Sequence, residues 1–158
     1  MSVSVKTLPA YHVAYMRYVG PYGPHGIPEL WGRFHTWLGT RGLGPDNRIT
    51  LGVAYDDPSV TAPAQCRYDA CVVVLADFAA DRWVNLMDVR GGSYAVFPYV
   101  GSAREIERAW HDVFDAWLPG SGYQPDDTPC YELYRGDPGV DAKTGTFRAE
   151  LCLPVRPL

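Results

Sequence analysis

The chain has 158 residues, with 14 Lys and Arg against 18 Asp and Glu, a net charge of -4 at pH 7 and 47% hydrophobic residues, a composition that fits one globular domain and excludes extended disorder. An acidic chain without a run of basic residues has no electrostatic footprint for a phosphate backbone, so direct nucleic-acid binding is not expected. The longest apolar run, Ala70 to Ala76, is seven residues against the ~20 a membrane helix needs; the N-terminus has no charged-then-apolar signal pattern, so the expectation is a cytoplasmic protein that does not contact a membrane.

Taken in chain order, Tyr11–Val19 reads as a strand. Ile27, Leu30, Trp31, Phe34 and Leu38 then recur at the spacing of an amphipathic helix, with Pro28 suited to its first turn and Gly39 and Gly42 to its end. Ile49, Leu51, Val53 and Tyr55 alternate as a half-buried strand, Asp56-Asp57-Pro58-Ser59 is a turn, and Cys66–Leu75 is another strand. Residues 76–88 read as a connector. Gly91-Gly92-Ser93 leads into a strand over Tyr94–Val100, and Ser102-Ala-Arg-Glu105 has the form of a capping box opening a second helix. Ile106, Trp110, Val113, Phe114, Trp117 and Leu118 form its apolar stripe, and Pro119-Gly120 stops it. Tyr131–Tyr134 and Phe147–Val155 are the closing strands.

The chain is internally repetitive at about 80 residues. Tyr18-Val19-Gly20 recurs as Tyr99-Val100-Gly101. Phe34, Trp37 and Leu38 fall on Phe114, Trp117 and Leu118, Asp57-Pro58 on Asp137-Pro138, Arg67 on Arg148 and Cys71 on Cys152. The expected fold is α+β: one domain over residues 1–158 built of tandem βαββ units, at about 3–76 and 89–156, joined by a connector at about 77–88. Their antiparallel strands form a pseudo-twofold pseudo-dimer, with both helices on one face and a central groove, a usual place for a ligand.

Glu132 is the charged residue singled out by its setting in Cys130-Tyr-Glu-Leu-Tyr134. Alternation puts Cys130, Glu132 and Tyr134 on one face and Tyr131 and Leu133 on the other. Under the repeat, Gly52 and Ala54 stand where the second copy has Glu132 and Tyr134, which suggests a cavity that the carboxylate and phenol border. An enclosed carboxylate favours a cation or titrates upward into a general acid or base. The competing reading is an exposed glutamate paired with an arginine.

Sixteen of the 21 aromatic residues carry a polar N–H or O–H, more than a core alone requires. The candidates for stacking a flat or cationic ligand in the groove are Tyr134, Tyr94, Trp110, Trp37 and Tyr18. Core packing is expected for most of the helix tryptophans Trp31, Trp37, Trp110 and Trp117, with one or two walling the groove. Asp69 and Glu150 are expected to form structural ion pairs with the neighbouring Arg67 and Arg148.

Cys66, Cys71, Cys130 and Cys152 form no CxxC pair and read as buried small hydrophobes. The four histidines lack metal-ligand spacing, no nucleotide-binding glycine pattern occurs, and neither a metal nor a cofactor is expected.

As a set, Tyr18-Val-Gly-Pro-Tyr22, Arg67-Tyr-Asp-Ala-Cys71, Gly91-Gly-Ser-Tyr-Ala-Val96 and Pro129-Cys-Tyr-Glu-Leu-Tyr134 resemble the GyrI-like family, which includes DNA gyrase inhibitors and the effector-binding domains of AraC-type and MerR-type regulators. The resemblance runs over roughly residues 3–156. It implies the same tandem βαββ pseudo-dimer, Glu132 as a pocket carboxylate recognising cationic amphipathic compounds, and DNA gyrase as a possible protein partner. Some members resembling this chain are hydrolases of electrophilic compounds, which would give Glu132 a catalytic role. The regulators' helix-turn-helix has no room here, so direct DNA recognition is not expected.

Overall fold

The computed structural model describes residues 2–44 and 48–158. Among them the chain runs β1 (Ser4–Leu8), β2 (Tyr11–Val19), α1 (Ile27–Thr40), β3 (Ile49–Ala54), β4 (Arg67–Val73), β5 (Asn85–Val89), β6 (Gly92–Gly101), α2 (Ile106–Asp112), β7 (Tyr123–Pro125), β8 (Cys130–Arg135) and β9 (Phe147–Pro157). Among the described residues no helix is long and apolar enough to cross a membrane.

The antiparallel sheet has the order β1-β6-β9-β8-β3-β4-β2-β5, with β7 paired to β9. Read from the β8–β3 junction, both directions give the same sequence of repeat-related strands, so the pseudo-twofold axis passes through that junction. Gly52 pairs with Glu132 across it. These two residues, equivalent under the repeat, therefore face each other at the axis.

Two edge strands were not legible from apolar patterning. β1 opens the first unit but pairs with β6 of the second; β5 lies in the stretch read as a connector and pairs with β2 of the first. Both are largely exposed and so lack the alternation that marks a half-buried strand. The turns leading from them cross near the axis: a Cβ on Gly91 would lie 2.5 Å from the Ala10 nitrogen and 2.8 Å from the Pro9 carbonyl carbon. Only a glycine lets the two turns touch.

Alternation assigns the faces. One carries Leu51, Val53, Tyr94, Val96, Tyr131 and Leu133, gathered into a single cluster within the curl of the sheet. The other carries both helices over two separate clusters. α1 buries Leu30, Phe34, Trp37 and Leu38 against Ala14, Tyr68, Ala70 and Val72. Val113 and Trp110, from the second helical segment, lie on Phe97, Tyr99 and Leu151.

The two helical segments differ more than the repeat implies. α1 has 14 residues; the Glu29 carboxylate accepts from the Gly26 N–H at 2.6 Å, and the Leu43 N–H closes its end on the Leu38 carbonyl at 3.0 Å, with Gly42 at φ 67. At the second, the Ser102 hydroxyl donates to the Glu105 carboxylate at 2.8 Å and the Glu105 N–H bonds the Ser102 carbonyl at 3.1 Å. The Glu105 carboxylate reaches back to the Ser102 N–H at 3.4 Å, one half of the expected capping box, but the Ser102 hydroxyl does not accept from the Glu105 N–H; the segment is a turn and α2 starts at Ile106. It then widens into a π turn over Val113–Trp117 and tightens into a 3-10 turn over Leu118–Gly120. A π turn rotates the stripe by inserting a residue. Val113 is thus 1% exposed while Phe114, the counterpart of fully buried Phe34, is 38% exposed.

The expected ion pairs also change partners. Arg17, directly across the ladder from Asp69, binds it through two bonds of 2.8 and 2.9 Å, Arg67 pairs with Asp56 at 3.0 Å, and Glu150 pairs with Arg135 at 3.4 Å. Cross-strand neighbours are closer than residues two apart on one strand.

Candidate functional site

β8 carries Glu132 to the axis on the helix-bearing face, between the two apolar clusters. Its carboxylate is half-buried and accepts two phenol protons at Oε2, from Tyr134 at 2.8 Å and from Tyr68 at 3.2 Å. Among the described residues it enters no ion pair within 4.0 Å. The exposed, arginine-paired alternative does not describe this geometry.

The small residues opposite Glu132 do not leave a void. Tyr68, on β4 opposite Ala54, leans diagonally over Gly52 and fills the space: a Cβ at position 52 would overlap its hydroxyl and lie 3.0 Å from the Glu132 Oε2. The Tyr68 hydroxyl also accepts from the Trp31 Nε1 at 3.1 Å. A hydrogen-bonded chain thus runs from α1 through Tyr68 to the carboxylate, and Tyr134 closes it from the other side.

Aromatic rings span the site from one half to the other. Trp31 stands edge-on to Tyr134 at 5.7 Å, Tyr134 meets Phe147 at 5.9 Å, and Phe147 meets Tyr99 at 5.7 Å, separations at which ring quadrupoles attract. Trp31 is stacked on His35 at 5.6 Å.

Desolvation pushes the Glu132 carboxyl up to about 7, against the opposing pull of the Tyr134 and Tyr68 hydrogen bonds. Burial, reinforced by the nearby carboxylate, moves both phenols well above their ordinary range, so they remain O–H donors. Burial and Glu132 likewise push the Cys130 thiol up to about 12, which keeps it protonated and unreactive. Of Glu132, Tyr68, Tyr134 and Cys130, the group able to change charge near neutrality is Glu132.

The other proposed ligand contacts are distributed differently. Tyr134 is at the carboxylate. Trp110, half-buried, belongs to the cluster that contains Tyr134 and Cys130. Trp37 is a core residue: it is 5% exposed, stacked on Phe34 at 5.6 Å, and donates its Nε1–H to Asp81 at 2.9 Å. Tyr94 is on the opposite face, because it is one residue out of phase with Ala95, Phe97 and Tyr99; its hydroxyl donates to the Arg90 carbonyl at 2.6 Å. There it borders two hollows of about 240 and 190 Å³, where the carboxylates Asp126 and Asp88 are paired with Arg156 and His12.

Tyr18 ties the end of β2 to the loop before α1, donating to the Pro21 carbonyl at 2.8 Å. Its counterpart Tyr99 does the same for the Ser102 carbonyl at 2.5 Å. The repeat of Tyr-Val-Gly therefore marks a paired structural latch. Trp31, one of the four helix tryptophans expected to include a groove wall, stands at the carboxylate's hydrogen-bonded chain, whereas Tyr68 was not among the expected site residues. Tyr68 had a signal, since its motif begins one residue earlier at Arg67 and it sits on the same sheet face as the gap at Gly52.

Compared with known proteins, residues 1–156 match the model of the GyrI-like small molecule binding domain. The chain is 32% identical over 149 residues to a DNA gyrase inhibitor of Serratia proteamaculans, covering 89% of this chain and 91% of that protein. It is 29% identical over 163 residues to a DNA gyrase inhibitor of Edwardsiella piscicida, covering 99% of each. Among solved structures, the EcmrR C-terminal domain superposes with a TM-score of 0.75 at 12% identity, covering 99% and 98% of the two chains. SAV2435 bound to tetraphenylphosphonium superposes with a TM-score of 0.57 at 14% identity, covering 99% and 94%; both likenesses show the shared fold.

Proposed function

This chain belongs to the GyrI-like family of small molecule binding domains, and from that premise we propose that it binds an aromatic or delocalised monocation in the groove between the two helical segments, with Glu132 as counter-charge. The observation that carries this reading is a half-buried carboxylate that has no basic partner among the described residues, at the pseudo-twofold axis, among rings from both halves. A bound cation restores the charge balance that burial disturbs, and each well-placed ring adds ~0.5–2 kcal/mol of cation–π attraction. The tetraphenylphosphonium carried by the structural neighbour SAV2435 is the type of compound such a site accepts.

Isothermal titration with tetraphenylphosphonium, and with neutral triphenylphosphine oxide as the uncharged control, tests the proposal. Glu132→Gln should weaken the phosphonium tenfold or more and leave the oxide nearly unchanged. Equal phosphonium affinity in both proteins overturns it.

A second reading is favoured by the position of the Glu132 carboxyl near neutrality, which suits a general base acting on a bound water. Hydrolysis of an epoxide or cyclopropane that disappears in Glu132→Gln supports it; a broad panel without turnover refutes it. The names of the gyrase-inhibitor relatives suggest a gyrase contact. A supercoiling assay with wild type and Glu132→Gln distinguishes a pocket-dependent from a surface-borne effect, and the absence of inhibition by either removes this role.

A further inference from the structure

Gly52 and Glu132 are related twice, as counterparts in the repeat and as cross-strand partners. Gly52 contributes no side chain to the site. Its missing Cβ is what lets the Tyr68 hydroxyl reach the carboxylate, since any Cβ there would overlap that oxygen. Tyr68 is in turn held by the Trp31 N–H at 3.1 Å and by edge-on packing against Tyr22 at 6.4 Å, and only 3% of its surface is exposed. It is a fixed donor.

We infer that Gly52 and Tyr68 are positioning residues for Glu132: the gap at 52 admits the Tyr68 hydroxyl, and its hydrogen bond, with that of Tyr134, holds the carboxylate ionised and aimed into the groove. This rests on the reading of Glu132 as the receptor for a cation. A carboxylate in this setting is costly to ionise, and a hydrogen bond donated to the charged form offsets the cost, whereas a protonated carboxyl has lost the charge that attracts a cation.

The groups facing Glu132 support a direct effect. Tyr134 and Cys130 flank it on β8, Tyr68 comes from β4, and Tyr99 approaches from β6. On β3 the neighbour is Gly52 and on β9 it is Leu151; Glu150 is paired with Arg135. α1 offers Trp31 with His35 stacked on it. On the second helical segment, Glu107, His111 and Asp115 are exposed and associated with one another. Tyrosine hydroxyls are thus the groups that bond the carboxylate itself.

The test compares wild type, Tyr68→Phe and Gly52→Ala. In the ligand-free proteins, the ionisation of Glu132 is followed by carbon-13 NMR of labelled glutamate from pH 5 to 9.5. Losing one donor to the charged form should raise the midpoint by about one pH unit in Tyr68→Phe, and Gly52→Ala, which displaces the same hydroxyl, should shift it in the same direction. Tetraphenylphosphonium titrations over the same range should show Tyr68→Phe several-fold weaker than wild type at pH 7 and within twofold of it at pH 9.

An unmoved NMR midpoint in Tyr68→Phe, or an affinity loss equal at every pH, overturns the inference and leaves Tyr68 a packing residue. The binding premise is judged separately: if wild type and Glu132→Gln bind the phosphonium alike, that premise falls, whereas the NMR midpoint still decides whether Tyr68 controls the carboxylate.

Discussion

Replacing Glu132 by Gln should stabilise the ligand-free protein, increasingly so at higher pH. The carboxyl titrates near 4.5 in an unfolded chain and is pushed up to about 7 in the fold by desolvation. Because the native carboxyl holds its proton more tightly, the stability linked to this group is complete below about 4.5 and is lost as pH rises through about 7. That difference corresponds to about 3 kcal/mol of native-state destabilisation once the group is fully ionised. Gln keeps the shape and an acceptor for the Tyr134 and Tyr68 hydroxyls without the charge, although its weaker bonds return part of the gain. Net stabilisation of about 1–3 kcal/mol is expected at pH 8.5, a melting-temperature rise of roughly 2–10 °C for a domain of this size, and little or none at pH 4.5. Urea or thermal unfolding of both proteins at the two pH values measures it. A Gln variant less stable than wild type at pH 8.5, or a difference independent of pH, would refute the reasoning.

Arg17→Met strands the fully buried Asp69 carboxylate and should cost about 3 kcal/mol in urea unfolding, with Arg17→Met/Asp69→Asn recovering part of the loss. Gly91→Ala drives a methyl into the Pro9–Ala10 backbone and should lower stability by at least ~1–3 kcal/mol, which a melting curve checks. Trp37→Phe removes the bond to Asp81 and should cost ~1–2 kcal/mol of stability with phosphonium affinity unchanged. Trp31→Ala, which takes away the ring packed edge-on to Tyr134, should, on the proposed reading, weaken the phosphonium by roughly fivefold, as expected for one lost cation–π contact; the same titration separates the two tryptophans.

The fold was legible where a residue pattern has a steric cause. The Phe34, Trp37 and Leu38 stripe and the alternation in β3 and β8 announce buried faces, and the repeat, with its paired Tyr-Val-Gly latches, supplied the symmetry. β1 and β5 escaped because exposed edge strands owe their place to backbone pairing, which leaves little hydrophobic signature. The π turn escaped because nothing in Val113–Trp117 distinguishes hydrogen bonds between residues five apart from the regular spacing of four. At the site, Glu132 and Tyr134 followed from period two and the missing bulk at Gly52 from the repeat. What filled that space did not follow, because Tyr68 reaches it diagonally from the neighbouring strand, and sequence spacing does not encode diagonal reach. Tyr94 was misplaced by a single step of phase, enough to carry a side chain through the sheet.

The duplicated architecture explains why the carboxylate is single. A residue at the axis of a pseudo-dimer faces its own counterpart, and the repeat relation and the β3–β8 register converge on Gly52 and Glu132. Glutamates at both positions would put two carboxyl groups on directly opposed strands, ~4.5–5.5 Å apart at Cβ, where one of them would be driven to its neutral form. Losing one side chain there removes the repulsion and also opens the path by which Tyr68 reaches the remaining carboxylate. The two halves can keep their matching strands and latches because the asymmetry between Gly52 and Glu132 is confined to one pair of residues at the axis.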